Sequence, residues 1–254
     1  MTIDRPRLRP LVRRRFAGLA LGLQTALIAA TGGLALTAPI PAQAIPESEA
    51  VKKLAVVPVF ILTNEKGAPL PIPRDKTLIL PMYLERAKAE QALADFTKAN
   101  PSIKARVVPL PMNVANEKVT ALSKEVKDGR TLIAPVIPAD ADRNQAVQIL
   151  KQQGLAEKEI NEGLSIPVFF TKPFLTVKTP QGPRGVFFLS YADLQKALAE
   201  VPDRAKLQVQ AADMTAVMRE IIKAKDDSYV FFPTREYFRL VEEQKRNAAA
   251  PGSK

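Results

Sequence analysis

The 254-residue chain contains no cysteine and no histidine. Zinc, copper, haem and iron–sulfur centres take their usual ligands from thiolate and imidazole, so those ligand sets cannot be assembled. Cys–His and Ser–His–Asp nucleophile systems fall with the missing imidazole. Carboxylate-only or serine–lysine chemistry is what remains, and the spacing offers two acidic clusters, Asp140-Ala141-Asp142 and Asp226-Asp227. Each has a plain structural explanation: the first stands where a helix N-terminus favours negative charge, the second in a turn. The chain therefore reads as a non-enzyme, with no catalytic residue, no metal and no cofactor.

Binding is the chemistry left, and its candidates are apolar side chains in strands: Phe60, Leu80, Met82, Phe169, Phe170, Phe187, Phe188, Phe231 and Phe232. Neighbouring residues of a strand point to opposite sides, so one member of each Phe pair is expected to line a groove. The competing explanation is that helices cover both sheet faces and all nine are core.

The elements that carry these residues form a weak internal repeat. Val57-Pro58-Val59-Phe60 matches Ile166-Pro167-Val168-Phe169, and Leu78 to Tyr83 matches Val186 to Tyr191. A helix follows in each copy, Glu85 to Leu93 and Ala192 to Leu198. Next come strands Ala105–Leu110 and Leu207–Gln210, then helices Val114–Lys127 and Met214–Ala224. Strands Thr131–Ile137 and Tyr229–Phe232 run into closing helices, 140–153 and 234–244. Short runs rich in Val, Ile and Phe read as buried strands, and amphipathic stripes such as Leu84, Ala87, Gln91, Phe96 read as helices. Asp140 and Thr234 are the expected helix caps. The pattern is a duplicated β-β-α-β-α-β-α unit: an α/β (α+β) fold of two pseudo-symmetric sheet-and-helix halves forming a sandwich with apolar pockets. The halves span 45–153 and 164–244, with a charged helical connector at 154–163 and a flexible tail at 245–254. The prolines mark strand edges and rigid loops.

Residues 1–44 read as a signal peptide. Six arginines between Arg5 and Arg15 precede an uncharged apolar run from Phe16 to about Leu36, which ends in Ala42-Gln43-Ala44. That order is a basic n-region, an h-region and an Ala-x-Ala site, with cleavage between Ala44 and Ile45. Arg13-Arg14-Arg15-Phe16 also fits a twin-arginine signal. The competing reading is an uncleaved membrane anchor, but glycines, Gln24 and threonines dilute the run. The formal charge of +11 loses six arginines and one aspartate on cleavage and falls to +6. Lys and Arg then alternate with Asp and Glu as on an ordinary surface, so no nucleic-acid partner is expected. No stretch after residue 45 is long and apolar enough for a membrane span, and the expected location is the periplasm, in soluble form.

The order of Val57-Pro58-Val59-Phe60, Ile166-Pro167-Val168-Phe169-Phe170, Gly185-Val186-Phe187-Phe188-Leu189-Ser190 and Val230-Phe231-Phe232-Pro233-Thr234 resembles the Tic twenty-two family over most of residues 50–240. Its members are soluble proteins of the chloroplast intermembrane space with cyanobacterial periplasmic relatives. The resemblance implies a pseudosymmetric α/β fold with apolar pockets and a chaperone-like role in protein transport and outer-membrane biogenesis. Its implied partners are unfolded outer-membrane or translocating proteins and an Omp85-type insertase. It supplies no catalytic residues. The alternative function is a periplasmic carrier of lipid or another apolar small molecule, which would use the same pockets.

The leader carries the first testable expectation. N-terminal sequencing of the exported protein should begin at Ile45; an intact residue 1–44 segment would refute the signal-peptide reading.

Overall fold

The computed structural model describes residues 45–249 apart from positions 128 and 225. The expected signal peptide 1–44, with Ala44 of the expected cleavage site, and residues 250–254 lie outside the described residues.

The first half opens with α1 (Glu47–Lys52) and a 3-10 turn, Lys53–Val56. Strand β1 (Pro58–Asn64) follows, then β2 (Ile72–Arg74), β3 (Thr77–Ile79) and β4 (Met82–Tyr83). Helix α2 (Arg86–Ala99), strand β5 (Ala105–Pro111), α3 (Met112–Glu125), β6 (Thr131–Ile133), β7 (Val136–Ile137) and α4 (Asp140–Gln152) complete it. After α5 (Glu157–Gly163), the second half runs β8 (Pro167–Lys172), β9 (Thr176–Thr179), β10 (Gly182–Phe187), α6 (Tyr191–Ala199), β11 (Gln208–Asp213), α7 (Met214–Lys223), β12 (Tyr229–Phe231) and α8 (Arg235–Ala249). None of the described helices is long and apolar enough to cross a membrane.

Strand pairing repeats between the halves. Strand β1 pairs antiparallel with β5 from Pro58↔Pro111 to Asn64↔Ala105, and β8 with β11 from Pro167↔Asp213 to Lys172↔Gln208. Phe60 lies opposite Tyr83 as Phe169 lies opposite Phe188. The Met112 N–H donates to the Val57 carbonyl at 2.8 Å, as Met214 does to Ile166 at 2.9 Å. Val59 and Val168 therefore hold equivalent places. Antiparallel hairpins β2–β3 and β9–β10 lead into parallel partners, β3 with β6, β4 with β7 and β10 with β12.

Several sequence expectations are corrected. The register equates Tyr83 with Phe188 and not with Tyr191, a shift of three residues. The first-half strand breaks at Leu80-Pro81 between β3 and β4, where proline offers no N–H for the ladder. Strands β2 and β9 were not expected, because their residues are proline-bearing or polar and almost all exposed. In α2 the buried position is Ala89, with Ala92, Leu93 and Phe96 half-buried, while Ala87 and Gln91 are exposed. Asp140 is the first residue of α4 and not its cap; it pairs instead with the Lys88 ammonium at 2.7 Å. The Thr234 hydroxyl does accept from the Tyr237 N–H, at 3.3 Å. Helix α8 runs on to Ala249, past the expected tail boundary at 245, on a stretch of good helix formers ending in basic residues and alanines. The connector helix α5 is also part of the core, since Ile160 is buried.

The inner faces of the two halves meet in one cluster. Val59, Ile61, Met82 and Met112 from the first pack with Val168, Phe187, Met214 and Phe231 from the second. A second cluster lies outside the second half's sheet, where Phe169, Phe188 and Ala211 are covered by Ala146, Ile149 and Leu150 of α4, Ile160 of α5, and Leu194 and Leu198 of α6. Proline in β5 is tolerated because β5 is an edge strand. Gly185 is required by close approach: a Cβ there would meet the Phe174 and Tyr229 rings at 3.1 Å.

Two carboxylates tie the chain's corners. Asp227 joins the Lys53 ammonium and the Arg184 guanidinium, and Lys53 also donates to the Tyr229 carbonyl at 2.9 Å. Asp213 accepts from the Ser165 N–H and hydroxyl, both at 2.8 Å, from the Ile166 N–H at 3.1 Å and from the Thr215 N–H at 2.8 Å. Burial pushes the Asp213 carboxyl up, but these four donors outweigh it and hold the group below its ordinary value of 3.8. A depressed folded value stabilises the fold above the unfolded value, and the contribution is lost as pH falls through 3.8 toward the folded value. Replacing Asp213 with Ala should cost about 2 kcal/mol in urea unfolding at neutral pH. The deficit should shrink as the pH drops below that of a free aspartate; a constant deficit would contradict the linkage.

Candidate functional site

Most of the apolar residues singled out from sequence are core. Phe60, Leu80, Met82, Phe169, Phe187, Phe188 and Phe231 are buried, Phe170 is half-buried, and Phe232 is 36 % exposed. The alternation across the pleat is present: Phe187 enters the inner cluster and Phe188 the outer one. Neither faces a groove, because the partner half covers one side of the sheet and helices cover the other. Phe170, Phe174, Phe187 and Tyr229 instead form a network of ring contacts at 5.2–5.6 Å. Phe232 stacks on Phe188 at 5.1 Å.

The open apolar surface lies on the outside of the first half. Between α2 and the β2–β3 hairpin is a groove of about 460 Å³. Leu62 of β1, Leu70, Ile72, Leu80 and Tyr83 form its floor and one wall, and Ala92, Phe96 and Ala99 of α2 form the other. Asp95 is the one charged residue in its lining. Leu80 is the only one of the nine binding candidates that lines it, while Phe96 was expected only as part of the α2 stripe.

An isoleucine row continues this surface. Ile72 of β2 lies opposite Ile79 of β3, which lies opposite Ile133 of β6. Residues directly opposite share a face of the sheet, and the outer two are 43 % and 46 % exposed. A contiguous exposed apolar patch of this kind marks an interaction site more often than a scattered leucine does.

A second cavity, of about 360 Å³, lies where matching elements of the two halves converge. Leu84 and Glu85 before α2, the first turn of α4, Leu189 and Ser190 before α6, and the first turn of α8 all contribute. Its polar groups include Glu85, Asp142, Asp193 and Glu236 against Arg235 and Arg239. Asp142, from the acidic cluster in the sequence, accepts the Tyr191 N–H at 2.8 Å and so links α4 of the first half to α6 of the second.

A model of the Tic22-like family matches residues 13–237, most of the chain. The chain belongs to the Tic22-like family. Its fold is similar to that of Anabaena Tic22 (protein transport), with 23% sequence identity and a TM-score of 0.63 over 82% of this chain and 100% of that one. It is also similar to Tic22 from Plasmodium falciparum, with 19% identity and a TM-score of 0.61 over 78% of this chain and 98% of that one. No curated protein matches the sequence. At these identities the structural likeness establishes the family's mixed α/β fold, the architecture expected from the repeat.

Burial raises the Asp142 carboxyl above its ordinary value of 3.8; the Tyr191 N–H pulls it back, and Glu85 and Asp193 push it up again. A raised folded value makes the ionised carboxylate unfavourable to the fold at neutral pH. That penalty fades as pH falls through the raised value toward 3.8. Asp142→Asn keeps an oxygen for the Tyr191 N–H and removes the charge. Its melting temperature should exceed wild type at pH 7, with the gap closing on acidification; a variant that melts lower at pH 7 would refute this account.

Proposed function

We propose that this protein is a periplasmic escort that shields apolar segments of unfolded outer-membrane or translocating proteins and hands them to an Omp85-type insertase. The observation that carries the reading is the first-half groove with its isoleucine row, an apolar surface left open where the second half is sealed. The protein-transport role of Anabaena Tic22 supports the same direction. The protein acts in this reading by binding alone, without catalytic residues or a cofactor.

An unfolded barrel protein alternates apolar and polar residues along each strand, so it exposes apolar faces to water until it inserts. Covering ~300 Å² of such a face would favour capture by roughly 7 kcal/mol at ~25 cal/mol per Å². Ordering the client and losing its free motion offset much of that. Weak, reversible capture follows, and an escort that must release its client needs no more.

The test is suppression of aggregation. Purified protein should slow aggregation of an unfolded outer-membrane barrel protein. Ile72→Lys with Ile133→Lys should weaken capture at least roughly tenfold, about 1.4 kcal/mol. Both positions are exposed, so stability should change by no more than about 0.5 kcal/mol per substitution. Val177→Lys, at an exposed position of the second hairpin, should leave capture intact. If the isoleucine variants capture client as wild type does, the groove is not the client site. If extraction recovers one tightly bound lipid whose retention those substitutions abolish, the carrier reading replaces the escort.

A further inference from the structure

Helices α4 and α8 hold the same place in the two halves: each follows the strand that pairs parallel with the central β4 or β10. Their anchoring differs. Helix α4 buries Ala146, Ile149 and Leu150 across β8 and β11. It is tied further by Lys88 to Asp140, by the Tyr191 N–H to Asp142, and by the Arg143 guanidinium to the Leu164 carbonyl at 2.9 Å. Helix α8 is strongly amphipathic, yet none of its residues is fully buried. Tyr237, Leu240 and Val241 are half-buried, and Phe238 is 48 % exposed.

Among the described residues, one polar side-chain contact joins α8 to another element, the 2.8 Å ion pair between Glu243 and Arg86 of α2. Both partners are about a third exposed, and pairs of that kind are weak and weaken further with salt. The Arg86 guanidinium also lies 5.5 Å over the Phe60 ring of β1, a second hold on Arg86 that does not involve α8. The chain before α8 is fixed: the Phe232 N–H donates to the Phe187 carbonyl at 2.8 Å. Pro233 separates that anchor from the helix.

Thr234, just ahead of α8, and Arg235, Glu236 and Arg239 from its first turns form one wall of the 360 Å³ central cavity, and the other walls stand on α2, α4 and α6. We infer that α8 is a hinged wall of this cavity, pivoting near Pro233 and latched shut by the Arg86–Glu243 pair. Opening widens access to the cavity and uncovers the Tyr237, Leu240, Val241 stripe, while the sandwich core stays intact. A helix that buries little opens at a low free-energy cost, in contrast with a core element that opens only with global unfolding.

The absence of cysteine makes spin labelling specific. Labels at Lys98→Cys and Asn247→Cys report α2 to α8, and labels at Lys98→Cys and Gln152→Cys report α2 to α4; all three positions are exposed. Electron–electron double resonance should give a broader distribution for the first pair. Glu243→Arg should shift that distribution to longer distances and leave the second unchanged, and adding Arg86→Glu should bring it back. Hydrogen exchange of the unmodified protein gives an independent reading, with α8 amides exchanging at least on the order of tenfold faster than those of α4. A first-pair distance unmoved by the charge reversal, or α8 amides protected as strongly as those of α4, overturns the hinge.

Discussion

Strands β1 and β8 have almost no solvent face. Six of the seven β1 residues are buried, and β8 exposes only its last residue. A strand apolar on both sides must be covered on both sides, and the usual solution is a layered sandwich. Each half supplies half of that cover. Val59 and Ile61 meet Val168 and Phe187 across the shared inner core, so neither half could keep its inner face dry alone. The outer faces then need helices, and α4 completes the exchange: it begins at the end of the first half and lies over the sheet of the second. The Asp142 bond to the Tyr191 N–H follows from the same crossing, since it places the first turns of α4 and α6 side by side.

This constraint also governs how much of the fold was legible. Continuous apolar runs such as Val57 to Leu62 and Ile166 to Thr171 announce doubly covered strands, and helices between them announce their cover. Strands β2 and β9 left no such mark, because their pairing rests on backbone hydrogen bonds to a neighbour two residues away across a turn. Asp75 sits at one of these turns with φ of 52°, a conformation that Asp tolerates better than most side chains. The equivalence of Tyr83 and Phe188 was hidden for a related reason: register depends on where Pro81 breaks the ladder and not on matching letters.

The candidate site was less legible than the fold. Alternation tells which face of a strand a phenylalanine takes, but not whether a helix or another half covers that face. Both faces are covered at Phe187 and Phe188, so the paired aromatics became core. The groove is built from Leu62 of β1, Leu70 of the following loop, Ile72 of β2 and Phe96 of α2, residues that no periodicity in the sequence brings together. The isoleucine row exists only once the β2–β3–β6 register is fixed, and its one sequence trace is Ile72 standing between Pro71 and Pro73.

Duplication explains why the open surface lies on one half. Equivalent frames require equivalent cover, yet the second half's outer face is closed by α4, α6 and the connector α5, with Ile160 and Leu164 filling the seam. The first half has α2 and, following the pseudosymmetry, α8, which ends in a polar stretch and buries no residue. The unsealed face of the first half goes with an α8 that buries no residue where α4 buries Ala146, Ile149 and Leu150. Its floor and one wall nevertheless stand on β1 and α2, which pack against the buried core. If the groove takes a client as proposed, a preformed wall carries no ordering cost on its own side and that cost falls on the client. In the proposed escort role, that division would keep capture reversible and leave the sandwich unaltered by each round of binding and release.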